Sequence, residues 1–412
     1  MDVMLFSSIM VGLYARLKTC CFQFQLRAQH AAAEAYERGS ELMEKPKSVK
    51  VIKKSVAWAK KQLQEFFKVT PHVILGTGTS CAVDVGFGMG ALKDSLLAKI
   101  KVESLDEKSA RQWARVEKAL KDGSDVEHSL DFATTDKLRE LILKETGASV
   151  AHLDQKFSVS ICRRETEWPA MAIVNKIISG LTISDHNALN VITTNYDLLF
   201  EYACAAYNIK CVDGFCGSII KSEDWPASLQ TVCYKTNVVR NRRENVKNVF
   251  QRHVRLYKVH GSLNRFFINN EVVEVDMWIG AAPAGIERVI ITPGSSKYEK
   301  IQKYRKELQA KADKSVESAN GFLFLGYGMN DAHIEQYIVQ KIRKDSKPAI
   351  FITRDLNDRI KDFAKQNDSV WVVCGMEDPN EGTRIFSGQL GGWLSIPGNK
   401  LWEFSQFANQ IM

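Results

Sequence analysis

His72-Val73-Ile74-Leu75-Gly76-Thr77-Gly78-Thr79-Ser80 opens on a short apolar run and passes straight into glycines and hydroxyls. An apolar run of this length, closed by glycine, is the pattern of a strand buried on both faces of a parallel sheet. Similar runs recur at 189–193, 256–259, 289–292, 322–325, 349–353 and 370–373. Helix-like segments separate several of them, at 171–178, 297–312 and 332–343. Strands alternating with helices predict an α/β fold with a Rossmann-like, doubly wound, mostly parallel sheet. Between the first and second runs lies a helix-rich stretch, including 110–120 and 136–143, that is too long for a simple crossover. It reads as a helical insertion at about 100–185. Residues 266–279 alternate around Asn269-Asn270, the signature of a β-hairpin.

Four strand-end segments carry candidate chemistry. The Gly76-Thr77-Gly78-Thr79-Ser80 loop can bring backbone N–H groups close to a diphosphate, with Ser80 as a further donor. It misses the G-x-G-x-x-G pattern, because position 81 is Cys81, and a plain turn explains it equally well. Thr193-Thr194-Asn195-Tyr196-Asp197 ends another run. An amide and a carboxylate two residues apart suit a water and a polar ligand edge, or an Asx turn capping the helix at 198–206. His260-Gly261-Ser262 places an imidazole at a strand end, as acid or base or as a structural histidine. Gly326-Tyr327-Gly328-Met329-Asn330-Asp331-Ala332-His333 again follows a run, with Asp331 near a sugar hydroxyl or as a helix cap.

Composition bounds the rest. The 412 residues are 45% hydrophobic and 25% charged, which excludes a disordered or fibrous chain. The net charge of +8 permits an anionic ligand without requiring nucleic acid. Nine cysteines in irregular spacing, with no C-x-x-C, argue for reduced thiols and against a disulfide framework or zinc knuckle. The apolar run at 3–15 is shorter than the roughly 20 residues a bilayer needs. It lacks the positive charge that precedes a signal sequence, and reads as a packed or oligomer-facing helix. Residues 22–68 read as two helices parted by Pro46. Lys50, Lys53, Lys54, Lys60 and Lys61 form one face of the second, either solvated or turned to a partner or a nucleic acid. The stretch 235–258 holds eight basic residues and one acid, for a nucleic acid, an acidic partner or a solvated helix.

Together, and in this order, the four segments resemble the sirtuin (SIR2) superfamily. Gly76-x-Gly78-x-Ser80 matches its G-A-G-x-S loop, Thr194-Asn195-Tyr196-Asp197 its Q-N-x-D element, His260-Gly261-Ser262 its H-G motif, and Gly326-Tyr327-Gly328 its G-T-S or G-Y-S motif. The wording is similar to that of SIR2-like NAD-consuming effectors of bacterial antiphage defence, whose G-Y-S-x-x-D-x-H-I form Asp331, His333 and Ile334 fit. The resemblance spans 71–375, leaving 1–70 as a helical extension for oligomer or partner contacts and 376–412 as a tail.

Two departures narrow what is implied. No cysteine lies between Gly261 and Leu325, where protein-deacetylating sirtuins carry zinc ligands, so no zinc module is expected. The region after the first loop lacks their Pro-Asp-Phe-Arg element. The resemblance therefore implies NAD⁺ as substrate and hydrolysis to nicotinamide and ADP-ribose, with deacylation, ADP-ribosyl transfer or a non-catalytic NAD-sensing subunit as alternatives. It implies Asn195 placing a water, His260 as base at the ribose, and Asp197 at the nicotinamide carboxamide. Gly76, Thr77, Gly78, Thr79, Ser80, Thr194, Gly326, Tyr327, Gly328 and Asp331 are implied to hold the remainder, with no metal. It further implies a cytoplasmic homo-oligomer, able to pair with a HerA-type ATPase or another separately encoded partner. Nucleic acid is the less favoured partner, and no membrane span is expected.

Overall fold

The structure is a computed structural model that describes residues 55–183, 186–240, 243–292 and 299–412. The readings made on 1–54, among them the apolar run at 3–15, the first helix, and Lys50, Lys53 and Lys54, lie outside these residues. The strands are numbered in chain order. β1 (His72–Leu75) is buried along its whole length and pairs in parallel with β2 (Ala188–Thr193) and β12 (Phe322–Leu325). Beyond β2 lie β8 (His253–Lys258) and β3 (Lys210–Val212), and beyond β12 lie β13 (Ala349–Thr353) and β14 (Val370–Gly375), all parallel. The sheet closes with β15 (Gly382–Ser387) and β16 (Gly392–Pro397), both antiparallel to their neighbours.

The central order β8-β2-β1-β12-β13-β14 is that of a Rossmann sheet, with the order of the strands along the chain reversing between β1 and β12. Alternate side chains on a strand face opposite ways, and both faces are covered. Val73 and Leu75 pack with the helices Val56–Phe66, Met171–Gly180, Leu199–Ala206 and Phe404–Ile411. Ile74 packs with side chains of Glu299–Val316, Ala332–Lys344 and Asp358–Lys365. The protein is thus an α/β fold with a doubly wound, mostly parallel sheet.

The insertion between β1 and β2 is helical, with Met89–Lys99, Glu107–Lys121, Val126–Leu130 and Asp136–Cys162 as its main elements. It has its own core around Trp113, Leu120, Leu130 and Leu138. The last helix runs for 27 residues, well past the expected 136–143, and carries buried Asp154 back towards the sheet.

Three other readings change. The run at 289–292 is not in the parallel sheet. β11 (Glu287–Ile290) pairs antiparallel with β9 (Gly261–Ile268), in a smaller sheet completed by β10 (Glu271–Glu274), β5 (Lys221–Glu223) and β4 (Phe215–Gly217). The β9–β10 hairpin turns at Asn269 and Asn270, with φ of 51° and 66°, as its sequence predicts. The basic stretch is no helix: most of it forms a two-stranded ribbon, β6 (Cys233–Arg240) with β7 (Arg243–Phe250), and Lys258 at its end is buried. Residues 376–412 are not a tail, because they supply β15, β16 and the helix Phe404–Ile411. The seven described cysteines are free thiols. Among the described residues no helix is long and apolar enough to cross a membrane.

Candidate active site

In an open α/β sheet, ligands lie beyond the carboxyl ends of the strands, where the order reverses. The loops after β1 and β12 meet at that point. Gly76 N donates to Leu325 O at 3.0 Å and Gly78 N to Gly326 O at 2.9 Å. A Cβ on Gly76 would stand 2.5 Å from Gly326 O, and one on Gly78 2.7 Å from Gly326 Cα. Gly326 itself has φ of +57°. These glycines are needed because two backbones touch, a closer constraint than the approach of a diphosphate that their spacing suggests.

The turn after β2 is built onto the same loop. Thr193 Oγ1 donates to Leu75 O and accepts from Asn195 N. Asn195 Nδ2 lies within hydrogen-bond distance of Gly76 O (3.1 Å), Thr79 Oγ1 (3.2 Å) and Ser80 Oγ (3.0 Å). A carbonyl can only accept, so Gly76 O fixes which end of the amide is nitrogen. Asn195 Oδ1 is buried with no hydrogen-bond partner. Ser80 in turn donates to Asp197 Oδ2 at 2.7 Å, while Asp197 Oδ1 accepts from Leu199 N. Burial pushes the Asp197 carboxyl above its ordinary range, and Lys258 works against that rise.

His260 leaves β8 where the chain turns into β9. The turn needs Gly261, whose φ is +80° and whose Cβ would meet Val289 O at 2.1 Å. His260 Nε2 lies 2.5 Å from Asp331 Oδ2, and the two side chains are 18% and 11% exposed. Asp331 Oδ1 accepts from His333 N and Ile334 N, so one carboxylate caps the helix and holds the imidazole.

These groups line one cleft of about 900 Å³. Gly76, Thr77, Thr194, Asn195, Asp197, His260, Gly326, Tyr327, Gly328 and Asp331 form its sheet side. The remaining expected residues, Gly78, Thr79 and Ser80, are not in the wall, and Thr79 and Ser80 are buried. The Ser80 hydroxyl thus joins Asn195 to Asp197 instead of facing a ligand.

The insertion supplies the opposite side, including Ser95, Lys99, Glu127, His128, Ser149 and His152. Half-buried Glu127 is raised by burial and by nearby Asp125 and Asp331, with His260 and Arg359 opposing. Sequence reasoning missed Glu127, because nothing in 125–131 marks it. It also missed Asp154, which is raised to about 6 by burial and accepts from Leu198 N and Tyr202 Oη. It placed Lys258 in the run 256–259 and in the basic stretch 235–258, with no role at the turn after β2. The signal there is a lysine between Tyr257 and Val259, inside an otherwise apolar strand end. Among the described residues no cluster of three or more His, Cys, Asp or Glu side chains is arranged to hold a metal.

Residues 189–380 match the family model described as a SIR2-like domain. Among curated proteins none matches the chain. Solved structures similar to it include one titled for the mechanism and regulation of Sir2 enzymes, with 11% identity over 85% of this chain and 96% of that one, at a TM-score of 0.38. A mutant Sir2 homologue with ADP-ribose shares 14% identity over 71% and 83%, at 0.32. A Sir2 homolog–NAD complex shares 13% over 72% and 82%, also at 0.32. At such identities and scores no residue here takes a role from those structures. The segment that matches the SIR2-like domain model begins after the first glycine loop and spans Asn195, His260 and Asp331.

Proposed function

We propose that the protein cleaves NAD⁺ at its nicotinamide–ribose bond, releasing nicotinamide and ADP-ribose. The observation that carries this reading is one cleft holding both Asn195, with an unpartnered buried carbonyl oxygen, and the His260–Asp331 pair. A volume of about 900 Å³ suits a ligand of dinucleotide size. The bonding electrons leave with nicotinamide, which departs neutral. Water adds its oxygen to the ribose carbon and gives up one proton.

Each residue then has a task. Asn195 Oδ1 accepts a hydrogen bond from the attacking water and orients it. With Nε2–H held by Asp331, His260 has Nδ1 as the nitrogen that receives the proton. Positive charge develops on the ribose at the transition state, and the carboxylates of Asp331 and Glu127 in the cleft wall stabilise it. Asp197 retains lone pairs for the carboxamide of nicotinamide. Gly76 and Thr77 are the part of the first loop that reaches the cleft, with Gly326 and Gly328 from the second. The Lys99 and Ser149 side chains, 3.0 Å apart, add polar contacts from the insertion.

The resemblance supports the wider setting: a cytoplasmic homo-oligomer that depletes NAD⁺ in antiphage defence, alone or with a HerA-type ATPase or another separately encoded partner. The test is incubation of purified protein with NAD⁺, with and without candidate partners, followed by chromatography. Equal amounts of nicotinamide and ADP-ribose are expected. Asn195→Ala and His260→Ala should each lose about 10²- to 10⁴-fold in turnover. Release at the wild-type rate by both variants would remove the proposed roles. ADP-ribosylated protein, or O-acetyl-ADP-ribose when an acetyl-lysine peptide is added, would assign transfer instead of hydrolysis.

A further inference from the structure

Lys258 is the last residue of β8, and its register partner on β2 is Thr193. It is 1% exposed, among the largest fully buried side chains of the protein. An ammonium so placed has to be satisfied, since an unpaired buried charge is very costly. Its Nζ donates to the backbone carbonyl of Asp197 at 2.5 Å and pairs with Glu201 Oε1 at 2.6 Å. One end of Lys258 therefore sits in the strand that delivers His260 two residues later. Its other end holds the turn that carries Asn195 and Asp197.

The alternative anchors of that turn lie elsewhere. Ser80 and Gly76 hold it from the β1 side, and Asp154 holds its exit at Leu198. From the β8 strand itself Lys258 reaches the turn directly, while Leu263 N of β9 donates to Tyr196 O further on.

We infer that Lys258 is a positioning residue, whose buried ammonium fixes the Asp197 carbonyl and thereby sets the Asn195 amide against the His260 imidazole. This rests on the reading of Asn195 and His260 as groups acting on one substrate. Misplacement of a reacting group by about 1 Å costs on the order of a hundredfold in rate.

The difficulty of a simple test is that K258M also strands the Glu201 carboxylate, and loss of stability alone could abolish activity. Removing both members of a buried pair is often neutral for stability. The double variant K258M/E201L is therefore expected to melt near the wild-type temperature. Its kcat for nicotinamide release should still fall about tenfold to a hundredfold, with a smaller change in KM. Amide hydrogen exchange at 194–198 should speed up in the same protein. E201Q keeps the ammonium and its bond to Asp197, and should lose far less turnover than K258M.

A double variant that melts like wild type and turns over like wild type would overturn the inference. So would unchanged exchange at 194–198. Equal losses from E201Q and K258M would assign the effect to the ion pair and overturn it too, even if the double variant failed to fold. Absence of nicotinamide release by wild-type protein would count against the proposed reaction alone, because the exchange measurement reads Lys258 independently of turnover.

Discussion

Asp331 serves two neighbours with its two oxygens, and that division makes a sharp test at the scale of one residue. Oδ1 caps the helix Ala332–Lys344, and Oδ2 faces His260 Nε2. Asp331→Asn can keep the cap through its carbonyl oxygen, but it then presents an NH₂ group to the imidazole. Two donors cannot face each other, so His260 must accept at Nε2 and carry its proton on Nδ1, where the base is needed. The expected outcome is a loss of about 10²-fold or more in turnover, with little change in melting temperature. Parallel measurement of nicotinamide release and thermal unfolding checks it. Wild-type turnover by a folded Asp331→Asn protein would show that the pair does not set the proton of His260.

Asp154 illustrates what a single element contributes. It lies in the 27-residue helix of the insertion and binds Leu198 N at 2.7 Å and Tyr202 Oη at 2.8 Å, at the start of the helix Leu199–Ala206. Burial raises its pKa from 3.8 to about 6, against those two hydrogen bonds. A carboxyl with a raised folded-state pKa binds its proton more tightly when folded. Its contribution is therefore fullest below about pH 4 and is lost as pH rises through 6. The loss amounts to about 3 kcal/mol. Asp154→Asn keeps the acceptor for Leu198 N and cannot ionise. Relative to the wild type, it should gain stability between pH 4 and pH 7, by 1–3 kcal/mol on that order. Urea unfolding of both proteins at several pH values measures this, and a difference independent of pH would contradict it. The sequence points to a helix at 136–143, but its length follows from packing. Gly147 is tolerated mid-helix where a Cβ would stand 3.0 Å from Arg288 Nη1, a contact made by a strand 140 residues away in the chain.

At the scale of the molecule, the C-terminal segment is part of the core. Ile385, Leu401, Phe404, Phe407 and Ile411 are buried with the side chains of β1 and β2. Each such burial is worth about 1.5–3 kcal/mol, and five of them rival the entire net stability of a domain, about 5–15 kcal/mol. Truncation after Gly375 would also bare the edge of β14, inviting association. The shortened protein is expected to show no cooperative melting transition and to aggregate, as read by circular dichroism and light scattering. A soluble, cooperatively folding product would show that β15, β16 and the last helix are dispensable.

The local code for the fold is plain in this chain. Short apolar runs such as Val73-Ile74-Leu75 and Phe322-Leu323-Phe324-Leu325 must be buried on both faces, and that demand alone leads to a covered parallel sheet. The Asn269-Asn270 turn was equally legible, since few residues adopt left-handed backbone at two successive positions. The strand ends carrying Asn195, His260 and Asp331 could be listed from sequence, as could the glycines beside them. Their partners could not. Ser80 with Asp197, His260 with Asp331 and Lys258 with Glu201 lie 117, 71 and 57 residues apart. Which polar groups satisfy one another at such separations depends on strand order and register. Those are settled by the packing of the whole sheet, because desolvation penalises every buried polar group left without a partner.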